Sequence, residues 1–176
     1  MNKLFALAAA LPLVCLACAG PERNPAAPST SADLAGTAAS ADAATPPFNL
    51  QAVLRPVDDG SGFGLVEFRQ PKDGLKIVYL DVWVRDLAPA TEYVLQRAVD
   101  FTIDGDCTSQ GWLTLGKGLV AQSIVTDGTG TGREELFRDL AAFATGSRFD
   151  IHFRVVQTAN DAAVLQSGCY EFVITE

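Results

Sequence analysis

A single histidine, four cysteines and a few closely spaced carboxylates are what this 176-residue chain offers for chemistry. One imidazole, His152, excludes a multi-histidine metal centre and leaves little room for histidine acid–base catalysis. Asp100, Asp104 and Asp106 crowd one segment, and Asp58 and Asp59 form a smaller acidic pair. Carboxylates at such spacing are the oxygen donors that calcium takes. They lack the alternating Asp order of a calcium hand, however, and Asp-Gly turns form without an ion. Glu134, Glu135 and Asp139 suggest the paired acids of glycoside cleavage, but neighbouring residues on a strand face opposite sides, so the two glutamates cannot flank one substrate. The run TDGTGTG, with Gly128, Gly130 and Gly132, has neither the Lys-Ser/Thr nor the following helix of a phosphate loop, and reads as a hairpin turn. No catalytic residue, metal site or cofactor is therefore expected. Tyr79 and Trp83 are left as a possible ligand face, with Trp112 as a further aromatic.

The cysteines divide into two pairs. Cys15 and Cys18 belong to an N-terminal segment in which Lys3 precedes an apolar run from Leu4 to Ala17, broken by Pro12. That is the pattern of a secretory signal and is too short for a membrane span. Leu16-Ala17-Cys18 resembles the end of a bacterial lipobox, with a cut after residue 17 and a lipid on Cys18; Cys15 departs from the aliphatic residue usual there. Ala17-Cys18-Ala19 also satisfies the small-residue rule of ordinary signal cleavage, so a plain secreted form is the alternative. Residues 18–47, rich in Ala, Pro, Ser and Thr, have Leu34 as their one large aliphatic and read as a disordered tether. Cys107 and Cys169 remain for the mature domain, and in an exported protein two such thiols are expected to form a disulfide.

The elements that must position these residues lie in 48–176, one domain's worth of chain. It carries 11 basic and 18 acidic residues, a net −7, which argues against nucleic-acid binding because phosphate neutralisation needs clustered cations. Its hydrophobic period is two. Val78, Leu80, Val82 and Val84 alternate with Tyr79, Asp81, Trp83 and Arg85, and Phe149, Ile151, Phe153 and Val155 alternate with Asp150, His152, Arg154 and Val156. The second pattern places His152 on a solvated face. Strands are predicted near 48–56, 63–70, 76–86, 92–99, 119–126, 131–138, 148–157 and 163–175, with a short helical turn at 140–145. About eight strands separated by polar turns predict an all-β, antiparallel Greek-key sandwich or flattened barrel.

Several pieces, in order, resemble the copper/zinc superoxide dismutase family. They are the opening strand Ala52-Val53-Leu54-Arg55, the strand Gly64 to Gln70, the run Val82 to Leu87 followed by Ala88-Pro89, the loop Gly105-Asp106-Cys107-Thr108-Ser109-Gln110-Gly111, and Ser167-Gly168-Cys169 entering the last strand. The resemblance implies the dismutase fold. It does not carry the metal chemistry across. Val94, Leu95 and Gln96 stand where the family has a His-x-His pair, 112–118 has no histidine, His152 alone falls near the late copper ligand, and Gln166 replaces the arginine that guides superoxide.

These readings combine into an exported protein of the bacterial cell envelope, anchored to a membrane through Cys18 or else secreted. It would serve as a non-enzymatic binding module for a protein or glycan partner. A divergent dismutase-like enzyme with residual metal chemistry, or a carbohydrate- or peptide-binding sandwich using Tyr79 and Trp83, are the alternatives. If Cys18 is lipidated, the full-length protein partitions into the detergent phase and Cys18→Ser moves it to the aqueous phase; wild-type protein found soluble and starting at Gly20 would end the anchored reading.

Overall fold

The computed structural model describes residues 48–175, so the leader, Cys18 and the tether lie outside the described residues. Twelve strands follow one another: β1 (Phe48–Pro56), β2 (Phe63–Gln70), β3 (Ile77–Arg85), β4 (Glu92–Asp100), β5 (Leu113–Thr114), β6 (Gly116–Lys117), β7 (Val120–Ala121), β8 (Ser123–Val125), β9 (Gly132–Asp139), β10 (Arg148–Gln157), β11 (Ala162–Ser167) and β12 (Tyr170–Val173). They form one all-β sheet in the order β5-β4-β10-β11-β1-β2-β3-β9-β6-β7, with β12 on β10 and β8 on β4. The sheet curls until its two ends nearly meet, as a flattened barrel.

The alternation legible in the sequence is the inside and outside of this barrel. Val78, Leu80, Val82 and Val84 are buried, whereas Tyr79, Trp83 and Arg85 point out. Leu54, Val66, Leu95, Phe153, Leu165 and Phe172 complete the centre of the core. Phe172 meets Phe68 and Phe149 edge-on, with ring centroids 4.6 and 5.0 Å away, a geometry that matches positive ring edges to negative faces. Gln70 is fully buried and satisfied in both senses: its Nε2 donates to the Thr175 carbonyl at 2.7 Å and its Oε1 accepts from the Thr175 amide at 3.0 Å. That pair fastens the end of the chain to β2.

Two expectations need correction. The strand count is twelve rather than about eight. One predicted strand, 119–126, is part of a run of two- and three-residue strands at 113–125. Another, 163–175, breaks into β11 and β12 at Gly168-Cys169, where Ser167 Oγ donates to the Gly168 carbonyl and accepts from the Phe153 amide instead of continuing the ladder. The helical turn at 140–145 is a pair of tight turns, with the Phe143 amide on the Leu140 carbonyl and the Ser147 amide on the Ala144 carbonyl.

The short strands bridge the gap between β4 and β9. The Leu115 amide donates to the Leu95 carbonyl of β4 at 2.8 Å, and the Gly118 amide donates to the Phe137 carbonyl of β9 at 3.0 Å. The bridge folds back tightly at Gly116, where a Cβ would lie 1.8 Å from the Val120 carbonyl oxygen. Gly116→Ala is expected to destabilise the domain by about 1–3 kcal/mol or more through this overpacking. Gly128→Ala, in open space, should leave the urea midpoint unchanged. Equal midpoints for the two variants would contradict the bridge.

Candidate functional site

The residues singled out for chemistry divide between two outer faces of the barrel, and neither arrangement is the one their spacing alone suggests. On the β4–β10 face, His152 is 2% exposed and Asp150 1%, which corrects the solvated reading. The segment between β4 and β5 folds back over this face. Asp150 Oδ2 accepts the amides of Asp104 and Gly105 at 3.1 and 2.8 Å, and Asp100 Oδ2 accepts the Ser109 amide at 3.1 Å. His152 Nε2–H donates to the Ser109 carbonyl at 3.2 Å. The Trp112 ring covers the imidazole with centroids 4.5 Å apart, and the Arg154 guanidinium lies 4.1 Å over the same indole. Cys107 and Cys169 form a disulfide that ties this segment to the turn between β11 and β12. With its cysteines 62 positions apart in sequence, the chain-entropy model assigns the bridge about 4 kcal/mol. The acidic residues here are consumed as loop fasteners. Asp104 likewise accepts the Asp106 amide at 3.0 Å.

The Gly-rich run is also spoken for. Asp127 Oδ1 accepts the Thr129 and Thr131 amides at 2.8 and 3.0 Å, and the Thr129 hydroxyl at 2.7 Å. These bonds, Thr129's foremost, hold the Asp127 carboxyl below its usual range. Gly130 has φ +78° and no room for a Cβ, which would stand 2.1 Å from the Leu87 carbonyl oxygen. Turn geometry accounts for this glycine without a phosphate.

Tyr79 and Trp83 share the outer face of β3 and are 38% and 37% exposed. Four residues apart along a strand, their Cα atoms are separated by about 13 Å. Asp81 stands between them in an ion pair with Arg133, so the two rings are separate contacts rather than one stacking platform. Trp83 is held edge-on by Phe63 at 5.9 Å, with Arg85 over both rings. Leu65, Glu67, Asp81, Trp83 and Arg133 line a shallow depression on this face.

A further feature lies inside the barrel and has no counterpart in the sequence reading. A cavity of about 280 Å³ opens at the barrel end where β2, β4 and β9 finish and β10 begins. Val99, Phe101, Phe143 and Phe149 are among its apolar walls, and the side chains of Arg97 and Arg138 reach it from β4 and β9. Burial lowers the proton affinity of Arg97, and the positive charge of Arg138 lowers it further. The signal that could have found these two is parity: Arg97 stands in the core register of Tyr93, Leu95 and Val99, and Arg138 in that of Leu136 and Leu140.

A dismutase-type metal does not fit these residues. The positions in question are Val94, the buried Leu95 and Gln96, whose amide is engaged by Thr114 Oγ1 at 3.1 Å and by Arg154 Nε at 2.8 Å. Among the described residues no group of three or more His, Cys, Asp or Glu side chains is placed to hold a metal ion. Comparison of the chain with family models, curated proteins and solved structures finds no match.

The covered imidazole has a consequence for pH. Burial pushes its pKa below the ordinary value, against weaker raising effects of the Ser109 carbonyl and Asp100, and Arg154 adds a slight further lowering. The unfolded chain, with a histidine pKa of about 6.5, therefore takes up the proton first as pH falls. The stability contributed by the neutral ring is complete above about pH 6.5 and is lost as pH drops from there towards the folded value. Urea unfolding followed by tryptophan fluorescence should show wild type losing more stability between pH 7 and pH 5 than His152→Gln. Identical losses would mean that the ring is not buried as a neutral donor.

Proposed function

We propose that this chain is an exported, lipid-anchored, non-enzymatic binding module of a bacterial cell envelope. Its flattened barrel is a Greek-key, dismutase-like sandwich without the metal ligands, and it takes a small apolar ligand at the open end. The observation that carries the reading is the cavity of about 280 Å³ lined by Val99, Phe101, Phe143 and Phe149. Its size is near the lower end of small-molecule pockets, about 300–1,000 Å³, and such sites combine apolar walls with a few convergent polar groups. The dismutase-like assignment draws its support from the order of the matching segments and from the Cys107–Cys169 bridge at the corresponding loop. The Cys18 anchor rests on Leu16-Ala17-Cys18 and the tether that follows.

A second reading, a glycan or peptide bound across β3, is favoured by the exposure of Tyr79 and Trp83 on one face. One experiment separates the two. The neutral dye Nile red should bind the mature chain saturably at one site. Val99→Trp, which fills the cavity, should abolish binding, whereas Trp83→Ala should leave it within twofold of wild type. Binding lost in Trp83→Ala and retained in Val99→Trp would move the site to the β3 face.

A further inference from the structure

The cavity differs from a packing void in one respect: two cations turn towards largely apolar walls with no carboxylate of a described residue at ion-pair distance. Charged groups removed from water are ordinarily paired, because desolvation of a lone charge is costly. The four ion pairs among the described residues, Lys117 on Glu134, Arg133 on Asp81, Arg148 on Glu171 and Arg85 on Asp86, all hold cations whose side chains are about half exposed on the outside of the barrel. Among the described residues, neither Arg97 nor Arg138 has a carboxylate within ion-pair distance. Arg138 Nη1 donates to the Gly118 carbonyl at 3.1 Å, which aims its fork. No hydrogen bond from a described residue reaches the Arg97 guanidinium. The nearby acids are otherwise engaged. Glu134, in the core register of β9, is held by Lys117 at 2.8 Å, and Asp139, at the cavity rim, accepts the Ala141 amide at 2.7 Å. In a domain of net −7, two inward guanidiniums without a carboxylate are against the grain of the whole composition.

Resting on the binding-module reading above, we propose that the cavity takes an amphipathic carboxylate of the fatty-acid type. Its head is shared by Arg97 and Arg138, and its chain runs outward past Val99 towards Phe101 and Phe143. Arginine's planar fork matches a carboxylate with two parallel hydrogen bonds, and such charge-assisted bonds are strongest where water is excluded. One anion between two guanidiniums offsets the burial of Arg97 and the repulsion between the two cations. The order of side chains along the wall sets the polarity of the ligand. Arg97 lies deeper along β4 than Val99, and Phe101, 77% exposed, stands just past the strand end with Phe143, 40% exposed, nearby. The cavity volume suits one unbranched chain and not a two-chain lipid.

The test is titration of the Cys18→Ser chain, which carries no lipid of its own, with decanoate, in parallel with Nile red. Decanoate should bind at one site and displace Nile red, and decyltrimethylammonium, with the same tail and the opposite charge, should not. Arg97→Met and Arg138→Met should each weaken decanoate at least tenfold while keeping Nile red affinity within twofold, which also shows that the variants are folded. Arg97→Lys should recover part of the loss. Displacement by the cation as readily as by decanoate, or unchanged decanoate affinity in both arginine variants, would overturn the carboxylate assignment. It would leave the apolar pocket standing. Failure of the Cys18→Ser chain to bind Nile red as well would overturn the pocket reading itself.

Discussion

Strand β4 has a long partner on one side only, and much of the structure follows from how its other edge is covered. Its pairing with β10 runs from Asp100↔Asp150 to Tyr93↔Gln157. On the opposite edge the two-residue β5 and the three-residue β8 are what the ladder offers. Strand β9 is in the same position, fully paired to β3 and touched by β6 at one register point. An open edge leaves backbone donors and acceptors unmet and invites pairing with another chain. The segment 113–125 answers both edges with short, sharply turned pieces, which is why it needs Gly116 where it does. Because the bridge is short, the end of the barrel is not filled by a continuous strand, and a cavity remains between the inward faces of β4, β9 and β10.

The outer face of the same β4–β10 pair shows how polar side chains are spent. Asp100, Asp150, His152, Trp112 and Arg154 would, as a bare inventory, make a plausible acid–base cluster. In the folded chain each has a partner within the 101–112 segment or on the strand beneath it. The disulfide at Cys107 fixes the middle of that segment, and the hydrogen bonds fix what lies around it. Strand β10 is consequently buried on both faces, with Asp150, His152 and Val156 as covered as Phe153 and Val155. Polar groups in such a layer stabilise only because they are satisfied.

The two candidate sites differ in kind. On β3, Tyr79 and Trp83 are separated by the Asp81–Arg133 pair, and Arg133 also feels the carboxylates of Glu135 and Glu67 on a solvated face. In the barrel end, neither Arg97 nor Arg138 has a carboxylate of a described residue within ion-pair distance, and most of the walls are apolar. Charge without a partner in an apolar, partly enclosed place has more recognition content than charge on a solvated surface. The binding proposal is therefore attached to the interior and not to the exposed aromatics.

The all-β class, the location of most long strands and the core side of β3 were legible because alternation of period two reports burial directly whenever one face packs and the other meets water. The tight reading of TDGTGTG as a turn was legible for a similar reason, since Asp127 and the glycines act within a few residues of one another. His152 was not legible. Its parity on β10 is that of an outer face, and it is buried because residues some forty positions earlier fold over it, a long-range event that no local pattern encodes. The division of 113–125 into four short strands was hidden for the same reason, as it depends on how nearly β4 and β9 approach around the barrel. Arg97 and Arg138 lie between these cases: their parity announces inward-facing charges, but only the tertiary fold brings two strands distant in sequence to the same open end and makes of two isolated cations a single site.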